Sequence, residues 1–85
     1  MIREDIRVNQ NIWLSSKSVA EFVQKASTYK SSIWIEKDDK KANAKSMLGI
    51  MALGVTGISF VTVIAEGEDE DAAIRELEEF ICSNA

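Results

Sequence analysis

The segment from Asn43 to Gly54 limits the fold more than any other part of the chain. Lys45 and Ser46 stand before seven residues that are apolar or glycine, Met47-Leu48-Gly49-Ile50-Met51-Ala52-Leu53, and Gly54 closes the run. A run this short falls well below the ~20 residues of a membrane span and suits about two helical turns. Ser46 is placed to cap such a helix, its hydroxyl accepting from N–H groups of the first turn. Gly54 is placed to end it, because glycine tolerates the left-handed conformation common at helix ends. Ile50 and Leu53 lie three apart and share a core-facing side, whereas Met47, Leu48 and Met51 form a second apolar side. A helix apolar on two sides is either wholly buried or offers one side to a partner, and methionine repacks readily against varied surfaces. Periodicity leaves both arrangements open.

Elements on either side of this run follow from their own patterns. Ile6 and Val8 alternate with Arg7 and Asn9, so residues 2–8 read as a strand. After the polar Asn9-Gln10-Asn11, Ser15 or Ser16 is a candidate cap for a helix over about 16–28, with Val19, Phe22, Val23 and Ala26 at helical spacing. Residues 33–37 alternate as a strand, Asp38-Asp39 is a two-residue turn for which glycine in second place would be better suited, and 40–44 returns as a short lysine-bearing edge strand. Phe60 to Ala65 is the strongest strand signal. Gly67 then marks a turn, and Glu68-Asp69-Glu70-Asp71 reads as a solvated acidic start to a last helix, with Ala73, Ile74, Leu77 and Ile81 as its apolar stripe and Phe80 beside it. The acidic run lacks the glycine and distal glutamate of a calcium loop. Strand, helix, strand, strand, helix, strand, helix is an α+β order, with helices expected on one face of an antiparallel sheet in a single domain spanning 1–85.

Composition removes several classes of function. Fourteen acidic against ten basic residues give a net charge of -4, which argues against nucleic acid as a partner. No targeting segment or long apolar run is present, so no membrane role and a cytoplasmic location are expected. The single cysteine, Cys82, makes no internal disulfide and reads as an inert helix residue. There is no histidine, which with a single cysteine removes imidazole catalysis and the common metal sites and leaves function to hydroxyls, lysines, carboxylates and surfaces. No cofactor is expected, and the regulatory reading given below expects no enzyme.

The order of elements, the segment Asn43-x-Lys45-Ser46-x-x-Gly49-x-Met51-x-Leu53-Gly54, and Ala65-x-Gly67-x-Asp69-Glu70 before the last helix together resemble HPr. HPr is the small histidine-containing phosphocarrier of the bacterial sugar phosphotransferase system. The resemblance covers essentially the whole chain and implies an open-faced sandwich: a four-stranded antiparallel sheet of order 1-4-2-3 with three helices on one face. Where the family carries Gly-(Ile/Leu)-His-Ala-Arg-Pro, this chain has Trp13-Leu14-Ser15-Ser16-Lys17-Ser18. Ser15 therefore stands at the phosphohistidine position, and a serine phosphate is an ordinary ester, too low in energy to pass its group to a sugar. Ser15 remains a candidate anion-binding cap at a helix start. For Trp13, replacing a glycine at that rim, the sequence offers no reason.

In Gram-positive members the serine matching Ser46 is phosphorylated by HPr kinase/phosphorylase, and the modified protein is a corepressor for a catabolite-control transcription repressor. A histidine-less HPr-like branch keeps this role alone. The chain is similar to that branch at Glu36-Lys37-Asp38, at Lys40-Lys41 through Lys45-Ser46, and at Gly67-Glu68-Asp69-Glu70, but lacks the Arg-Pro the branch is expected to retain. The resemblance implies Ser46 as the regulatory acceptor, with Lys17, Ala20, Gln24, Lys45, Met47, Leu48 and Met51 meeting the partner. Read without the resemblance, Ser46 is a plain structural cap. On the family sheet Trp34, Phe60 and Ile64 would share the open face. They would be either the scattered exposed apolar residues normal on any surface, or a patch that binds another copy, giving a homodimer, or a different partner. Two other functions stay open: a divergent phosphocarrier component, and an interaction module without phosphorylation.

Overall fold

The computed structural model describes residues 1–8, 16–53 and 59–83. Seven elements follow one another: β1 (Ile2–Val8), α1 (Ser16–Ser27), β2 (Ser32–Lys37), β3 (Lys40–Asn43), α2 (Met47–Ala52), β4 (Ser59–Glu66) and α3 (Glu70–Ser83). The strands form one sheet of order β1-β4-β2-β3, antiparallel at every pairing, as the resemblance implied.

Register explains how one face of this sheet becomes the core. Ile6 lies opposite Val61, and Ile35 opposite Val63, which places Val61, Val63 and Ala65 on the same side as Ile33 and Ile35. Against them pack Val19, Phe22 and Ala26 of α1, Ile50 of α2 with Leu53 just beyond it, and Ala73, Ile74, Leu77 and Ile81 of α3. All three helices therefore cover one face, their stripes at the spacing read from the sequence. The rings of Phe22 and Phe80 lie 5.8 Å apart at 53°, joining α1 to α3. Cys82 falls inside α3, with its side chain outside the described residues.

Two local expectations change in the structure. In the β2–β3 hairpin it is the first turn residue, Asp38, that takes a positive φ of 55°, a conformation aspartate tolerates through its short polar side chain. The acidic run before α3 is not simply solvated: the Asp69 carboxylate accepts from the N–H groups of Lys30 and Ser31, at 2.8 and 2.9 Å, and from the Ser31 hydroxyl. Glu70 reaches back to the Gly67 N–H at 3.1 Å. Gly67 is needed here because a Cβ would come within 2.7 Å of the Ser31 backbone. The cap residue ending α2 is Leu53, in the right-handed conformation; Gly54, expected to end it, lies outside the described residues.

The third correction concerns the open face. Ile64 does lie on it, opposite Arg3 of β1 and Trp34 of β2, and is absent from the main core. Yet it is only 1% exposed. Arg3 and Glu36 form an ion pair of 3.0 Å that spans β4 from β1 to β2, and the Lys41 ammonium stands 4.8 Å from the centre of the Trp34 ring. Long side chains laid across the strand thus cover the isoleucine, which offers no contact area to a partner.

Candidate functional site

Ser46 occupies the N-cap of α2 with extended backbone (φ -112°, ψ 113°), and its Oγ accepts from the Gly49 N–H at 3.2 Å. The turn that delivers it is held by hydrogen bonds of its own. The Ser46 N–H donates to the Asn43 carbonyl at 3.0 Å, and the Asn43 side-chain oxygen accepts from the Lys45 N–H at 2.8 Å. Ala44, between them, is buried and donates its N–H to the Ile33 carbonyl at 2.9 Å, anchoring the turn to the sheet. One acceptor site of the hydroxyl is thereby used, and its own proton stays available. Ser46 itself is half-buried.

The two arrangements left open for α2 are now separated. Ile50 and Leu53 are buried, whereas Leu48 is 83% and Met51 50% exposed, so the helix offers its second side outward. Met47 is intermediate, partly packed against the core. On the neighbouring α1, Lys17 and Gln24 are exposed and Ala20 half-buried, and the spacing of 17, 20 and 24 puts them on one side of that helix. No hydrogen bond or ion pair among the described residues joins Lys17 to Ser46. Ser15 and Trp13 lie outside the described residues.

Lys45 is engaged elsewhere than at Ser46. Its ammonium donates to the carbonyl of Tyr29 at 2.8 Å, just beyond the C-terminal end of α1, where a positive charge meets the negative end of the helix. Around the same turn gathers a set of polar residues that sequence reading missed. Burial, and then a hydrogen bond to Glu76, push the Tyr29 phenol up to about 12. Glu76 is held below the ordinary carboxylate range chiefly by that phenol, and it also pairs with Lys25 at 3.4 Å. The Ser31 hydroxyl, followed by the Lys30 N–H, lowers the Asp69 carboxyl to about 2. These partners lie far apart in sequence, and no local pattern announced them; an acidic residue at a glycine turn was the one available hint.

On the open face, Phe60 is 68% exposed and Trp34 half-buried beside the covered Ile64. Among the described residues no group of three or more acidic or cysteine side chains is arranged to hold a metal ion, and no helix is long and apolar enough to cross a membrane.

A four-stranded antiparallel sheet of this order, with three helices on one face and a serine-capped short helix, defines the HPr-type open-faced sandwich. The chain belongs to the HPr family: the model of the PTS HPr component phosphorylation site matches residues 2–83. HPr-like protein Crh of Bacillus subtilis is 40% identical over 81 residues, covering 95% of each chain. Among solved structures, HPr-C-His of Thermoanaerobacter tengcongensis superposes with a TM-score of 0.92 at 46% identity, covering 98% of this chain and 93% of that one. The crystal structure of Crh of Bacillus subtilis, described as a domain-swapped, intertwined dimer, matches with a TM-score of 0.79 at 38% identity, covering 100% and 98%.

Proposed function

We propose that this chain is a non-catalytic HPr-like regulator, phosphorylated on Ser46 by an HPr kinase/phosphorylase and then bound by a catabolite-control transcription repressor. The observation that carries the reading is the placement of Ser46 at the cap of a helix whose outward side presents Leu48 and Met51. Similarity to the Crh relatives supports the regulatory branch, and the missing histidine removes the group that a phosphocarrier uses. In the modification the Ser46 Oγ takes the γ-phosphoryl group of ATP, its proton departs, and ADP leaves. The ester adds charge of about −1.5 to −2 and new acceptor oxygens without demanding a new backbone path. Leu48 and Met51 then supply apolar contact, with Met47, Ala20, Gln24 and Lys17 at its margin.

Incubation with an HPr-type kinase and ATP, read by mass spectrometry, should add one phosphate to the wild-type protein and none to Ser46→Ala. Phosphorylated protein should bind the repressor more tightly than unmodified protein. Equal modification of Ser46→Ala would overturn the acceptor, and absence of repressor binding would overturn the corepressor role. With the phosphoenolpyruvate-dependent enzyme that charges HPr, no phosphate should appear. Self-association is a second reading, favoured by the exposed Phe60 and by the dimeric Crh structure.

A further inference from the structure

Lys45 stands beside the proposed acceptor, yet its half-buried ammonium is committed to the Tyr29 carbonyl at 2.8 Å. The turn that follows α1 is otherwise held from two sides. Asp69 takes the N–H groups of Lys30 and Ser31, and Glu76 takes the Tyr29 phenol. Within the turn, Thr28 donates to the Lys25 carbonyl at 3.1 Å and Tyr29 to the Ala26 carbonyl at 3.3 Å. Of these holding groups, Lys45 is the one that adjoins Ser46 in the chain.

We propose that the Lys45 ammonium is contested between the Tyr29 carbonyl and a phosphate on Ser46, so that modification releases the turn at the end of α1. This rests on the reading of Ser46 as the acceptor. The physical reason is a difference in kind between the two bonds. Ammonium to carbonyl is an interaction of charge with dipole, whereas ammonium to phosphate joins two opposite charges and weakens less with distance. Lysine's flexible four-carbon stem allows the ammonium to turn towards its neighbour without moving the backbone. The freed Tyr29 carbonyl then turns to water. Asp69 and Glu76 keep their grip, and the Tyr29 ring stays packed on the core, so the turn loosens without unfolding. A mark on α2 is thereby transmitted to the far end of α1, the helix that carries Lys17, Ala20 and Gln24.

The test uses the full chain with phosphoserine installed at position 46 during translation, so no kinase is needed and failure of a kinase to act is a separate result. Nuclear magnetic resonance follows the Lys45 side-chain nitrogen, the Tyr29 carbonyl carbon and amide exchange at residues 28–31. Phosphoserine should shift the first two together and speed exchange several-fold. In unmodified Lys45→Gln, exchange at 28–31 should already be fast, and phosphoserine should add nothing further. Unchanged Tyr29 carbonyl and exchange in the phosphorylated wild-type chain would overturn the proposal. So would an equal response to phosphoserine in Lys45→Gln, since the effect would then bypass the lysine.

Discussion

At Ser46 one oxygen serves as cap and as proposed acceptor, and the two roles are measurable separately. Ser46→Ala leaves the Gly49 N–H without its side-chain partner and should cost about 0.5–2 kcal/mol, read from denaturant midpoints with no kinase present. Tyr29 allows a second measurement because it is the single tyrosine, so absorbance of the phenolate reports one group. Its midpoint should lie near 12, well above the ordinary 10, because burial and then Glu76 disfavour the phenolate. The unfolded phenol ionises first as pH rises. Stability from this group is therefore complete below pH 10 and lost between about 10 and about 12, and Tyr29→Phe should flatten that alkaline slope.

Among the elements, α2 and the start of α3 carry the sharpest contrasts. The two sides of α2 should respond unequally to truncation. Ile50→Ala, in the core, should cost about 2–5 kcal/mol. Leu48→Ala and Met51→Ala, on the outward side, should each stay within about 0.5 kcal/mol while weakening repressor binding. Thermal unfolding of the three variants checks the first part, and titration of the phosphorylated proteins with repressor the second. At the start of α3, Asp69 ties that helix to the turn after α1 through Lys30 and Ser31. Its carboxyl falls from an ordinary 3.8 to about 2, so its contribution is present above pH 4 and lost as pH falls towards 2. Asp69→Asn should lower stability at neutral pH and remove that part of the acid dependence, seen in unfolding curves between pH 5 and 2.

For the whole molecule, the sheet has a large core on one face and a small covered patch on the other. Ile64→Ala should cost about 2–5 kcal/mol although the residue lies outside the main core, because Arg3, Glu36 and Trp34 close over it. Trp34→Lys would disturb that cover, so the cleaner probe of self-association is Phe60→Lys, at a ring already 68% exposed. Sedimentation of wild-type protein should show dimers at high concentration and Phe60→Lys should shift them towards monomer. A wild-type chain that stays monomeric would remove the reading of Phe60 as a contact.

Helix and strand positions were legible because side chains repeat with the period of the element that buries them: Val19, Phe22 and Ala26 on α1, and alternate residues on β2 and β4. The Ser46 cap was legible for the same kind of reason, a bond to a residue three places on. Strand order came from family resemblance, since period alone does not order strands. Which side of α2 faces outward, that Ile64 is buried on the open face, and that Lys45 holds Tyr29 were decided by tertiary structure. Each depends on groups brought together from distant parts of the chain: Arg3 with Glu36, Tyr29 with Glu76, Ser31 with Asp69. Local sequence specifies which face is apolar; only the packed fold determines what lies against it.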